Sequence, residues 1–280
     1  MNKKKRNIFQ SIKKDILKGF KRMYFFSYTF LKYHLFSITA FILKKKTQTF
    51  KISLLLPTRE RSKKFERLLL SLIKTCQYQN RVEILLLLDE DDKEIDRYKE
   101  IIKKEIFRSL NFIFIIKNLK SHAIRNNHLA ELSTGNIIFP INDDMIFVSK
   151  RWDYFIDREF SKIDMDRPFC IWIKSNIKYS YLHCDYPIIN KSWHKRLGYV
   201  GSENFNFWYL DTWICDLAKR SKQFIYASKI RFKEFNAQAN IDEFDNTYLR
   251  NIADNKLEKD IEIWEKSIYQ RINEANKLKN

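Results

Sequence analysis

Asn142-Asp143-Asp144 sets two adjacent carboxylates behind one apolar run, Asn136-Ile137-Ile138-Phe139-Pro140-Ile141, and ahead of another, Met145-Ile146-Phe147-Val148. Two carboxylates about 5 Å apart repel by roughly 3 kcal/mol at an effective dielectric near 20. A divalent cation removes that cost, and hard oxygen ligands suit Mn2+ or Mg2+. Asn and Asp are also ordinary turn residues, so the pair alone reads equally as a solvated turn. Position separates the two readings. Gly135 ends a helix-like segment upstream, which gives the order helix, Gly stop, buried strand, acids. The carboxyl end of a strand is where open α/β sheets bind ligands. A second acidic run, Asp89-Glu90-Asp91-Asp92, follows another apolar stretch, Val82 to Leu88. Solvation explains either cluster by itself, but less readily both at one sheet edge.

The elements that must carry these acids follow from hydrophobic periodicity. Phe50 to Leu56 is a short apolar run closed by Pro57-Thr58 and reads as a buried strand. A helix over 60–76 carries Phe65, Leu68, Leu69, Leu72 and Ile73 on one face. The stretch 81–88 is a second strand, 93–109 a helix, 112–116 a third strand, 121–134 a helix and 136–141 a fourth strand. This alternation predicts a mostly parallel sheet with helices on both faces. The halves 49–148 and 149–240 form one domain, followed by a helical tail over 241–280. That tail is predicted to pack on the body or to mediate association.

Composition narrows the chemistry. At 280 residues with 45% hydrophobic and 31% charged content, the chain is folded and has length for one substantial core. Its four glycines, Gly19, Gly135, Gly198 and Gly201, cannot write a P-loop or a G-x-G-x-x-G turn. A bound nucleotide would need its phosphates neutralised otherwise, and a metal is the evident means. The cysteines Cys76, Cys170, Cys184 and Cys215 are widely spaced, with no C-x-x-C, and read as buried reduced thiols. Of the formal charge of +19, residues 1–46 supply +12, from thirteen Lys and Arg against one Asp.

This leader (residues 1–48) has Ile8, Ile12, Ile16 and Phe20 at helical spacing between basic residues, the pattern of a helix lying on an anionic membrane surface. Residues 24–43 are long enough to span a bilayer, but Lys32 and His34 interrupt them. In-plane attachment, a true span and packing on protein all remain open, with in-plane attachment preferred. Basic residues interleaved with Phe and Ile suit lipid better than nucleic acid. The expected location is the cytoplasm, peripherally attached to the inner face of the cell membrane.

Four motifs in order give residues 50–220 a resemblance to family 2 glycosyltransferases of the GT-A fold. Pro57-Thr58-Arg59-Glu60-Arg61 is similar to the family's opening after its first strand. A strand ends at Asp89. Arg125-Asn126-Asn127 precedes a helix running to Gly135, and Asn142-Asp143-Asp144 looks like the family's DXD element. The resemblance implies transfer of a sugar from a nucleotide-diphosphate sugar, a uridine one by preference, to a glycan or lipid-linked acceptor in cell-surface polysaccharide synthesis. It implies that Pro57, Thr58 and Arg59 border the nucleoside, with Arg61 in the same motif. Asp89 would accept from the base, and Arg125 would help with the phosphates. Asp143 and Asp144 would face the ribose and the metal, with Asn142 among the donor-binding residues.

Inverting transfer also needs a carboxylate to take the acceptor's proton. Asp211, opening a helix in Leu210-Asp211-Thr212-Trp213, is the candidate base, with Glu203 in reserve. The family often writes that acid as Glu-Asp; here Leu210 precedes it. An acid favoured by the helix dipole is the plain alternative for Asp211. Trp208, Tyr209 and Trp213 read as core before they read as a sugar-stacking face. His183-Cys184-Asp185 is better explained by a structural or acceptor-side role than by zinc, since adjacent residues diverge on a strand. Related enzymes carry a metal-binding His after the last strand. This chain has Glu234-Phe235-Asn236 there, so Glu234 or Asn236 would have to substitute. A nucleotidyltransferase, or a non-catalytic binding protein on the same scaffold, is the alternative.

Overall fold

Fully apolar strands next to half-apolar helices dictate a layered architecture, and the computed structural model has one. It describes residues 48–176, 184–235, 245, 249 and 255–279, all within a compact unit formed by Lys45–Asn280. The proposed membrane segment, His183 and Asn236 lie outside the described residues.

The first half is parallel, as its alternation predicts. Strands β1 (Ile52–Pro57), β2 (Val82–Leu88), β3 (Asn111–Ile116) and β4 (Ile137–Pro140) lie in the spatial order β3-β2-β1-β4. Every residue of β1, β2 and β4 is buried, whereas β3, at the sheet edge, is half-exposed. The register pairs Pro57 with Leu87 and Leu55 with Pro140. Because the three central strands run the same way, their carboxyl ends stop side by side. Thr58, Asp89 and the Asn142-Asp143-Asp144 turn are therefore neighbours.

Helix α1 (Ser62–Thr75) buries Phe65, Leu68, Leu69 and Leu72, one stripe at helical spacing. Helix α2 is shorter than its pattern suggests, Ile95–Ile102, and a 3-10 turn at Glu105–Phe107 completes the crossover. Helix α3 (His122–Leu132) starts where the Ser121 side chain accepts from the Ile124 amide.

The second half extends the sheet with β5 (Met145–Phe147), β6 (Cys170–Lys174), β7 (Ile188–Asn190) and β8 (Phe224–Glu234), giving the full order β3-β2-β1-β4-β7-β6-β8-β5. Strand β8 pairs in parallel with β6, passes a register shift, and then pairs antiparallel with β5, placing Glu234 opposite Met145. Helices α4 (Trp152–Phe160), α5 (Lys191–Leu197) and α6 (Leu210–Ser221) follow the chain between strands. The described tail is two helices, α7 (Lys256–Lys266) and α8 (Ile268–Lys277), and α8 packs on α6. They part at Ser267, whose hydroxyl donates to the Trp264 carbonyl. All four cysteines are buried and unbridged.

Gly135 corrects one expectation. Helix α3 ends earlier, at Leu132, with Ser133 as its cap, so Gly135 is no helix stop. It lies against β1, where an added Cβ would come within 2.9 Å of the Lys51 carbonyl oxygen. That close approach lets one buried carboxylate tie three segments together. Glu83 of β2 accepts from the Thr134 amide at 2.7 Å, the Thr134 hydroxyl at 2.6 Å, the Gly135 amide at 3.2 Å, and the Ser53 hydroxyl; it also pairs with Lys51 at 2.7 Å. Burial pushes its pKa up. The bonds from Lys51, Ser53 and Thr134 outweigh burial and bring it down to about 2. The folded pKa thus lies below the ordinary glutamate value, so this stabilisation is present above the ordinary value and is lost as pH falls towards about 2. Glu83→Ala should cost about 3 kcal/mol or more at neutral pH, because it strands several buried donors. Chemical denaturation at pH 7 and pH 3 should show a wild-type advantage that shrinks at the lower pH.

Candidate active site

The carboxyl edge opens into a cleft of about 510 Å3. Pro57, Thr58, Arg59, Arg61, Asp89, Arg125, Asn142, Asp143, Asp144 and Asp211 all line it. Ten of the eleven residues named from sequence are thus brought together; Glu203 does not line the cleft. It is exposed and accepts from Asn127 Nδ2 at 3.0 Å. Buried Asn127 also receives the Val200 and Gly201 amides, at 2.9 and 3.1 Å, and so ties α3 to the loop before α6.

Ion pairs fix the part of the cleft at the ends of β1 and β2. Asp89, 2% exposed, sits between two guanidinium groups. Arg59 Nη1 donates to its Oδ2 at 3.1 Å, and Arg125 Nη2 donates to its Oδ1. Arg125 is oriented by Nε donating to the Leu119 carbonyl at 3.1 Å. Glu60 takes a left-handed backbone, φ 51°, between Arg59 and Arg61, and its amide donates to Asp92 Oδ2 at 2.9 Å. Such strain in a non-glycine residue persists only where neighbours enforce it.

The two aspartates of the turn are treated differently. Asp143 is 3% exposed and paired on both oxygens. The Thr58 hydroxyl donates to Oδ2, and Arg61 Nη1 donates to Oδ1 at 3.0 Å. Asp144 Oδ1 is buried and accepts no hydrogen bond. Burial, then the neighbouring Asp143, raise the Asp144 pKa to about 7 against the pull of Arg61 and Lys64. An orphaned carboxylate oxygen beside a second carboxylate fits a hard divalent cation. Among the described residues no three His, Cys, Asp or Glu side chains form a metal cage. Glu234, buried at the end of β8, lines the same cleft.

Asp211, also lining the cleft, lies in the first turn of α6, and its Oδ1 accepts from the Thr212 amide at 2.6 Å. The aromatic trio divides. Trp213 is fully buried, as expected for core, whereas Trp208 and Tyr209 line the cleft beside Phe207. Asp185 also lines it and accepts from the Ser175 hydroxyl at 2.7 Å.

Two site residues escaped the sequence reading. His122 is in the cleft, 5.6 Å between ring centroids from Phe207. Burial, then Arg125, lower its pKa to about 4 despite Asp211, so the ring is neutral at physiological pH. Asn126 Nδ2 donates to the His122 carbonyl at 3.0 Å and lies 3.2 Å from Nε2. The spacing of three residues to Arg125 put His122 on the same helix face and was the available signal. Asp245 grips Arg61 with both oxygens at 2.8 Å and takes Lys64 at 3.0 Å. Nothing in the sequence joins residues so far apart.

No protein-family model matches the sequence, and no curated protein sequence does. Solved structures do match. The mannosyltransferase PcManGT from Pyrobaculum calidifontis, in complex with GDP-Man and Mn2+, aligns at a TM-score of 0.56 and 11% identity, covering 76% of this chain and 67% of that one. S. aureus TarS 1-349 in complex with UDP aligns at 0.51 and 16% identity, covering 65% of this chain and 60% of that one. The S. aureus TarS structure of which this chain spans 36% gives 0.52 at 16% identity. The fold is therefore the mixed α/β fold of glycosyltransferase structures.

A raised carboxyl pKa has a defined sign. The folded state keeps the Asp144 proton up to about pH 7, so its stabilising effect is complete below the ordinary aspartate pKa and is lost as pH rises through about 7. Asp144→Asn should therefore raise the melting temperature of the metal-free protein at pH 8 but change it little at pH 5. The same variant should abolish Mn2+ binding by calorimetry. A variant that binds Mn2+ like wild type would remove Asp144 from the cation site.

Proposed function

We propose that this protein is a metal-dependent glycosyltransferase that moves a sugar from a nucleotide-diphosphate sugar to a glycan or lipid-linked acceptor. The observation that carries the reading is the orphaned Asp144 Oδ1 beside fully paired Asp143, at the sheet edge where Asp89 and Thr58 also end. The fold shared with nucleotide-sugar enzymes supports it.

Asp144 would hold Mn2+ or Mg2+, with Asp143 adjacent and Glu234 in the same cleft. A bound cation supplies positive charge to diphosphate oxygens. Arg59, Arg61 and Arg125 line the donor side with guanidinium forks suited to phosphate. Asp89, at the end of β2, borders the nucleoside. Asp211 takes the proton of the acceptor hydroxyl as that oxygen attacks the anomeric carbon, and the carbon–diphosphate bond breaks on the opposite face with inversion. Phe207, Trp208 and Tyr209 provide the ring surfaces on which a sugar stacks. The place of action is cell-surface polysaccharide synthesis, with the basic leader holding the enzyme to the cytoplasmic membrane face.

Thermal melting with UDP or GDP plus Mn2+ tests the donor half. At saturation near one hundred times the dissociation constant, stabilisation of about 2.7 kcal/mol should raise the midpoint by roughly 5–10 °C. Asp144→Ala should erase the shift; no shift with any nucleoside diphosphate in the wild type would sink the reading. Asp211→Asn tests the base. It should lower kcat by roughly 10^2–10^4 with little change in the donor KM, and an unchanged kcat would exclude Asp211. For the leader, full-length protein should sediment with vesicles containing anionic phosphatidylserine and be released by salt, while a chain lacking residues 1–46 should stay in solution.

A further inference from the structure

The C-terminal helices read from sequence as packing or association elements. Their inner face does something more specific. Asp260 of α7 is fully buried, and its four donors all come from one loop. Oδ1 accepts the Asn206 amide at 2.7 Å and Asn206 Nδ2 at 2.8 Å. Oδ2 accepts the Phe207 amide at 2.9 Å and the Trp208 amide at 2.8 Å. No cationic side chain among the described residues pairs with it. Three consecutive amides converging on one carboxylate form an anion nest, here filled by the protein's own side chain. A carboxylate so removed from water is tolerable only because those donors are in place.

The residues held in this way form the wall of the cleft. Asn206, Phe207, Trp208 and Tyr209 line it, and Asp211 follows two residues on. Tyr209 is left-handed, φ 71°, and stacks between Phe205, 5.4 Å away, and Trp264 of α7, 5.2 Å away. Arg271 of α8 lies over the Trp264 ring, its guanidinium carbon 3.5 Å from the ring centroid. Lys256, Asp260 and Trp264 recur every four residues and so share one face of α7. The first of them lines the cleft, the second holds the loop, and the third supports Tyr209.

We propose that Asp260 is a positioning residue for the acceptor side of the reaction. Through the nest it sets Phe207, Trp208 and Tyr209 as a platform for a carbohydrate acceptor and fixes where α6 presents Asp211. This inference rests on the glycosyltransferase reading above. It makes the C-terminal helices part of the cleft. Asp260 touches no substrate; it acts only through the loop.

The test compares full-length wild type with Asp260→Asn, which keeps the shape but removes the charge and half the acceptor capacity. Affinity for UDP or GDP with Mn2+, hydrolysis of UDP-GlcNAc or GDP-Man to free sugar and nucleoside diphosphate, sugar transfer from the same donors to n-octyl glycosides, and amide exchange at 206–208 are measured together. The variant should keep nucleotide affinity within about twofold and lose about tenfold or more in acceptor kcat/KM, the loss expected from weakened bonds to a buried charge. Exchange at 206–208 should quicken while the β1–β4 amides stay protected. Should Asp260→Asn not fold, Trp264→Leu, which removes support from Tyr209 outside the cleft, carries the same comparison. Unchanged acceptor transfer, or nucleotide affinity and transfer falling together with the melting temperature, would reduce Asp260 to a structural staple and overturn the proposal. A wild type that binds no nucleoside diphosphate would overturn the glycosyltransferase reading itself, before any variant is compared.

Discussion

Two carboxylates on consecutive residues at the mouth of a buried strand cannot both be comfortable, and the surrounding structure resolves only one of them. Asp143 receives a hydroxyl and a guanidinium; Asp144 Oδ1 receives nothing. The first partner comes from the end of β1 and the second from the start of α1. The asymmetry therefore depends on β1 and β4 lying side by side in one register. The Glu83 knot fixes that register at the opposite end of the same strands, joining β1, β2 and the connection into β4. A carboxylate satisfied many times over at one edge thus holds in place a carboxylate left partly unsatisfied at the other.

The parallel half was legible because its signals are local. Runs such as Ile52 to Leu56 and Val82 to Leu88 are too apolar for anything but buried strands, and their order forces crossovers. Once the strands are parallel, the position of Thr58, Asp89 and Asp143 along the chain is enough to bring them together. Gly135 was misread because its role is not local. Its missing side chain makes room for β1, more than eighty residues earlier in the chain, whereas a helix stop would have answered to its immediate neighbours. The aromatic trio failed similarly. Trp208 and Trp213 are five residues apart on either side of a helix start, so one faces the cleft and the other the core. Composition carries no trace of that division. Asp245 and Asp260 were invisible for the same reason, since each is defined by partners from distant segments.

The two walls of the cleft are held by different physics. The strand ends carry a lattice of ion pairs in which Arg59 and Arg125 share Asp89, and Arg61 bridges Asp143 and Asp245. Ligand charge can exchange into such a lattice, because a phosphate oxygen replaces a carboxylate oxygen on a guanidinium with little change in geometry. Residues 206–209 are held by backbone amides on a buried carboxylate and by stacked rings.

Identity to solved structures of the same fold is only 11–16%. Parallel strand ends place the acids for free, and apolar strands tolerate wide substitution so long as they stay apolar. The wall at 206–209 has no such guarantee. It is assembled from a loop and a helix pair that the sheet does not specify, and here a single side chain, Asp260, gathers three of the loop's amides. The strand-end part of the cleft follows from the parallel order of β1, β2 and β4, and the wall at 206–209 follows from the contacts of Asp260. The wall at 206–209 is therefore the part of the cleft that strand order alone does not predict.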